Sequence, residues 1–259
     1  MTAIEVDATV DGPEDAPVVV LSNSLGATRA MWDPQVPALA ERYRVVTYDT
    51  RGHGTSPAPA GPYTLDDLVD DVVALLDRLG VARAHVAGLS LGGMTALRLA
   101  AREPQRVHRL AVLCSSAKTE PQGFLTRAAA ARADGTASFA PAVVSRWLTP
   151  AHAAAHPDLV ARLEAMVAGS DDEGYAACAE VVAGIDLRAD LGRITAPTLV
   201  VSGAEDPALP PDHQQAIADG IAGAELLSVS PGAHLANLEQ PLQVTGALLG
   251  HLDAAGDER

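Results

Sequence analysis

Cysteine is nearly absent from this chain: Cys114 and Cys178 are the only two in 259 residues. One falls in an apolar run with strand character and the other in an alanine-rich helical pattern. Neither has a histidine at ligand spacing, so a disulfide framework and a zinc site are both excluded. Lysine is scarcer still, with Lys118 standing alone beside the arginines. No apolar run approaches the length that crosses a bilayer, and Met1–Asp7 carries neither a basic nor an apolar leader segment. The expectation is a soluble, cytoplasmic protein. Positive charge is in deficit, the formal net charge being −15. Such a chain repels polyanions, which excludes nucleic acid and anionic membranes as partners, and an anionic substrate would need a local cationic pocket.

What is present is a regular alternation. Apolar, β-branched runs at 17–23, 44–49, 84–89, 107–114, 197–203 and 224–230 read as strands, with a further alternating stretch at 4–10. Helical spacing separates them, as in Leu65–Leu79, which Thr64 caps at its start and Gly80 ends. Strands alternating with helices of this length predict an α/β protein with a mostly parallel, doubly wound sheet. The rhythm breaks at 120–195, where helical patterns at 124–133, 140–148, 152–168 and 172–185 follow one another without a strand. The expected organisation is a core of residues 1–119 and 196–259 with an inserted helical lid at 120–195. A last helix is expected at 241–252 and a frayed tail at 253–259.

The chemistry is declared at Gly88-Leu89-Ser90-Leu91-Gly92, where an apolar strand runs straight into a helical pattern. A serine on such a turn is backbone-strained and needs small neighbours, and its Oγ stands clear of the sheet edge. The glycine spacing fits neither a dinucleotide fingerprint nor a P-loop. Two later strand ends carry a carboxylate and an imidazole on loops: Asp206 in Ala204-Glu205-Asp206-Pro207, and His234 in Pro231-Gly232-Ala233-His234. The order Ser90, Asp206, His234 is that of an α/β-hydrolase triad of nucleophile, orienting acid and base. Glu205 is an adjacent competitor for the acid, and Asp206 could instead cap the following helix. Among the other histidines, His53 sits in a Gly-rich turn, His152 and His156 lie in the lid, and His213 reads as helix surface. An oxyanion hole is expected from the backbone N–H groups of Leu91 and Leu25; Asn23-Ser24 stands where many hydrolases carry His-Gly. No metal or organic cofactor is required.

These residues, together with Ser22-Asn23-Ser24-Leu25-Gly26, Met31-Trp32-Asp33-Pro34-Gln35 and Tyr48-Asp49-Thr50-Arg51-Gly52-His53-Gly54, resemble the 3-oxoadipate enol-lactonases of the α/β-hydrolase superfamily. Arg146-Trp147-Leu148-Thr149, Gly174-Tyr175-Ala176-Ala177-Cys178 and Ala233-His234-Leu235-Ala236-Asn237-Leu238-Glu239-Gln240-Pro241 extend the likeness from residue 17 to 243. The N-terminus departs from it, with room for one strand where relatives have a hairpin. The resemblance implies opening of an enol-lactone that bears an acetate group, giving 3-oxoadipate in aromatic-compound catabolism. An anionic lactone is then the substrate, and Trp147 with Arg127 or Arg146 the expected substrate contacts. A helix places Arg146 and Trp147 about a hundred degrees apart, so they cannot both point straight into the site, and the alternative is a core tryptophan beside a surface arginine. The rival readings are another carboxylesterase, a carbon–carbon hydrolase, or a hydrolase-fold binding protein without turnover.

Overall fold

A computed structural model describes residues 2–254, so the tail at 255–259 lies outside the described residues. Seven strands, β1 (Ala8–Asp11), β2 (Val18–Ser22), β3 (Arg44–Tyr48), β4 (Ala84–Leu89), β5 (Val107–Leu113), β6 (Thr198–Gly203) and β7 (Glu225–Val229), form one sheet in the order β1-β3-β2-β4-β5-β6-β7. All neighbours are parallel except β1, which runs antiparallel to β3. The expected strand at 4–10 therefore begins only at Ala8. Ahead of it, Ile4 N–H is taken by the Asp71 carboxylate and Asp7 N–H by the Ser56 hydroxyl, and those side-chain acceptors divert the backbone from the ladder.

The helices are α1 (Val36–Ala40), α2 (Leu65–Arg78), α3 (Leu91–Arg102), α4 (Pro121–Asp134), α5 (Ala140–Val144), α6 (Pro150–Ala155), α7 (Pro157–Ala168), α8 (Asp172–Ala183), α9 (Arg188–Leu191), α10 (Pro211–Gly220), α11 (Ala236–Glu239) and α12 (Pro241–Asp253). Helix α2 starts where the sequence demands. Thr64 Oγ1 accepts the Asp67 N–H while the Asp67 carboxylate accepts the Thr64 N–H, and Gly80, at φ +68°, turns the chain at the far end. Its inner face buries Leu68, Val72, Leu75 and Leu76. Its outer Asp66 and Asp70 bind Arg98 and Arg102 of α3, locking the two helices side by side.

Strand alternation divides the apolar side chains between two cores. Val18, Val20, Val46 and Val86 face the α2–α3 layer, whereas Val19, Leu21, Val45, Ala87 and Leu89 face Met31, Trp32, Leu235, Val244 and Leu248. Each of these valines and leucines contributes about 1.5–3 kcal/mol by leaving water, and a sheet covered on both faces needs the continuous apolar runs seen here.

Helices α4 to α9 all fall between β5 and β6, with α9 tied back to α3 by the Arg98–Asp190 ion pair. Two expected helices are broken. The pattern at 152–168 splits at His156 (φ −129°, ψ 60°), because Pro157 excludes the helical conformation from the residue before it. The pattern at 140–148 leaves the α-helix after Val144. Arg146 and Trp147 then continue in tighter i→i+3 turns, through Arg146 N–H to Val143 O (3.1 Å) and Trp147 N–H to Val144 O (2.9 Å).

Candidate active site

Ser90 sits between β4 and α3 at φ 57°, ψ −116°, a conformation costly for any residue with a Cβ. Local packing enforces it. A Cβ at Gly88 would fall 2.1 Å from the Gly92 carbonyl, and one at Gly92 would fall 2.3 Å from that of Ser22. The elbow is fastened on both sides: Ser90 N–H donates to Leu113 O (2.9 Å), and Ser90 O accepts from Met94 N–H (2.9 Å) and the Ser115 hydroxyl (2.7 Å). Leu91 begins α3, where N–H groups have no partner within the helix and point outward.

Beyond the sheet's edge, His234 Nδ1 lies 2.8 Å from Asp206 Oδ2 with both side chains buried. The second oxygen of Asp206 accepts Ala208 N–H (2.7 Å) and Leu209 N–H (3.0 Å), so the carboxylate cannot rotate away. Glu205 points to solvent. The turn buries Asp206 beside His234 and leaves the adjacent Glu205 exposed. Burial, reinforced by the Asp206 charge, pushes the nearby Cys114 thiol well up.

The loop Ser24–Ala27 closes with Ala27 N–H on Ser24 O (3.0 Å), and Gly26 takes φ +79° at its third position, as a type II turn requires. Support comes from His53, in the glycine-rich turn after β3. His53 Nε2 accepts the Gly26 N–H at 2.8 Å, while His53 Nδ1 lies 3.1 Å from Arg51 O. A carbonyl can only accept, so the proton resides on Nδ1 and the ring is neutral; burial pulls its pKa below the ordinary histidine value, as that state requires. Arg51 is in turn held by a fully buried two-point ion pair with Asp71 (2.6 and 2.7 Å). The Tyr48–Gly54 motif holds this histidine, but only the fold brings it to Gly26.

A cavity of about 540 Å³ opens between this edge and the inserted helices. Its walls include Leu25, Ser90 and His234 together with Arg127, Arg146 and Trp147. The neighbours Arg146 and Trp147 both line it, Arg146 as an exposed side chain and Trp147 as a buried one. Arg146 spends one nitrogen on the Pro207 carbonyl (2.6 Å), whereas Arg127 lies with its guanidinium 4.6 Å from the Phe124 ring centre. His213, expected on a helix surface, also lines the cavity. Its Nδ1 is 2.7 Å from the Ser116 hydroxyl, and the ring closes the wall beside Leu209. Lys118 is exposed and lies outside that wall. Among the described residues no cluster of His, Cys, Asp and Glu could hold a metal ion, and no helix is long and apolar enough to cross a membrane.

The Ser90 turn, His234 with its bond to Asp206, and the Ser24–Leu25 loop border one cavity. The sequence from 17 to 241 matches the family model of the α/β hydrolase fold, and the chain belongs to that family. Within it, the chain is 39% identical over 231 residues to 3-oxoadipate enol-lactonase 2 of Acinetobacter baylyi, spanning 89% of this chain and 86% of that one. The crystal structure of the enol-lactonase from Burkholderia xenovorans superposes with a TM-score of 0.94 at 40% identity, covering 95% of this chain and 96% of that one. A relative in Stutzerimonas stutzeri that bears the provisional name carbamate hydrolase RutD is 33% identical, covering 92% of each chain. The protein is a hydrolase of this kind.

Proposed function

We propose that this protein is a serine hydrolase that opens 3-oxoadipate enol-lactone to 3-oxoadipate, in the β-ketoadipate route of aromatic-compound catabolism. The observation that carries the reading is the His234–Asp206 bond at 2.8 Å on the wall of the cavity that also exposes Ser90. Ser90 Oγ attacks the lactone carbonyl as His234 Nε2 takes its proton, and Asp206 holds the Nδ1–H and stabilises the imidazolium. The N–H groups of Leu25 and Leu91 receive the oxyanion, on a loop that His53 keeps from collapsing. Collapse of the tetrahedral intermediate breaks the ring C–O bond, and the imidazolium returns its proton to the departing enolate oxygen. That enol stays tethered to the acyl-enzyme, so reclosure competes until the enol becomes a ketone. Water, deprotonated by His234, then releases the dicarboxylate and frees Ser90.

The acetate group needs a cation in a chain of strongly negative net charge. Arg127 is the better candidate, because Arg146 is committed to Pro207. Trp147 supplies a flat apolar wall for the ring, and segment 120–195 serves as the lid that excludes water. Similarity to named enol-lactonases supports this substrate; similarity to RutD favours a second reading in which a small carbamate takes the lactone's place. The deciding measurement is kcat/KM on the enol-lactone beside a neutral aryl ester and a carbamate of similar size. A preference of at least an order of magnitude for the lactone is expected, and equal values would overturn it.

A further inference from the structure

Glu239 is a buried carboxylate that none of the steps above uses. It ends the short helix α11, five residues after His234, and is 6% exposed. Its two oxygens serve two distant parts of the chain. Oε2 accepts the Ala233 N–H at 2.8 Å, immediately before His234, and Oε1 accepts the Thr149 N–H, two residues after Trp147. The same inserted segment makes two further bonds to the catalytic loops. Leu235 N–H, immediately after His234, donates to the Trp147 carbonyl at 2.8 Å, and Arg146 donates to the carbonyl of Pro207, next to Asp206, at 2.6 Å. Both neighbours of His234 and the residue following Asp206 are thereby fastened to residues 146–149.

We propose that Glu239 is the positioning residue of this site: it clamps the His234 loop to the 146–149 segment and so fixes the imidazole against Ser90. The proposal rests on the serine-hydrolase reading given above. The chemistry explains why an acid stands there. Two backbone N–H groups converge and need two acceptors, which a carboxylate supplies in charge-assisted bonds. A glutamine has one oxygen and would turn its own NH₂ toward an N–H. The bond is also the physical route by which the inserted helices act on the base: anything that shifts 146–149 shifts the ends of the His234 loop. A displacement of an ångström at a general base costs rate without touching the substrate's binding surface.

The test is Glu239→Gln, assayed on a neutral aryl ester that makes no use of the lactone's carboxylate. The expected result is a kcat lower by on the order of 100-fold with KM little changed. The downfield proton resonance of His234 Nδ1, bonded to Asp206, should broaden or vanish while circular dichroism remains native. A folded variant that keeps wild-type kcat, or one that loses rate with that resonance intact, overturns the clamp. If Glu239→Gln does not fold, Thr149→Pro replaces it, because φ at 149 is −62° and suits proline while the N–H is deleted. It is compared with Thr149→Ala, which loses only the hydroxyl, and equal kcat in the two overturns the proposal. A Ser90→Ala enzyme that still turns over the ester overturns the serine-hydrolase reading and the clamp with it. Loss of turnover in Ser90→Ala beside a wild-type Glu239→Gln overturns the clamp alone.

Discussion

His53 Nε2 accepts the backbone N–H of Gly26 at 2.8 Å, across 27 residues of chain, and so joins the turn after β3 to the loop after β2. The ring is a strut beneath the amides expected to hold the oxyanion. His53→Phe removes the acceptor and leaves a buried N–H unpaired, at about 1–3 kcal/mol. If that loss appears in the transition state, kcat should fall roughly 5- to 150-fold with KM little changed. Steady-state kinetics on an aryl ester checks this, and a wild-type kcat would remove His53 from the oxyanion loop's support.

Ser90→Ala and His234→Ala should each abolish most turnover, and the double variant should be little worse, because the residues act as one unit. Additive losses would contradict a shared step. Asp206→Asn should cost orders of magnitude in kcat with the fold retained, since it loses the acceptor at 2.8 Å from His234. Exposed Glu205→Gln should be mild.

The two cavity arginines should separate in a two-substrate assay. Arg127→Met should lose roughly 10- to 150-fold in kcat/KM on the anionic lactone, the worth of a charge-assisted contact of about 1.5–3 kcal/mol, and little on a neutral aryl ester. Arg146→Met, by freeing the Pro207 carbonyl beside Asp206, should depress both substrates together. Equal losses on both substrates for Arg127→Met would move the carboxylate site elsewhere.

Acid should destabilise the fold through its buried histidines. Burial, aided by His108 and neighbouring arginines, pulls His85 down to about 4, and burial likewise lowers His53 and His251. In the unfolded chain these rings titrate near 6.5, so between that value and about pH 4 the unfolded state binds more protons. The stability that neutral His85 confers is complete above about pH 6.5 and is lost as pH falls toward 4, at about 1.4 kcal/mol for each pH unit between the two values. Urea unfolding at pH 7.5 and pH 5 measures the loss, and His85→Phe should reduce it. An unchanged difference would exclude His85 as its source.

Part of this architecture follows from rules local to the chain. Val18–Ser22 had to be a doubly covered strand because each side chain is apolar or small, and Thr64, Asp67 and Gly80 set the ends of α2 through bonds within a few residues. Gly88 and Gly92 announced the elbow because no larger residue fits there, and the chain order of Ser90, Asp206 and His234 followed from strand ends that the alternation already located. The tertiary structure decided whatever depends on partners far away in the chain. It buried Asp206 and exposed Glu205, adjacent residues of like chemistry, by the direction of one turn. It made a strut of His53 through a bond to Gly26, and brought His213 to the cavity against Ser116, 97 residues distant. It set Arg146 and Trp147 on one cavity, the first exposed and the second buried. Periodicity encodes which face of an element is buried, but not what another element brings against that face; those contacts exist only once the chain has closed on itself.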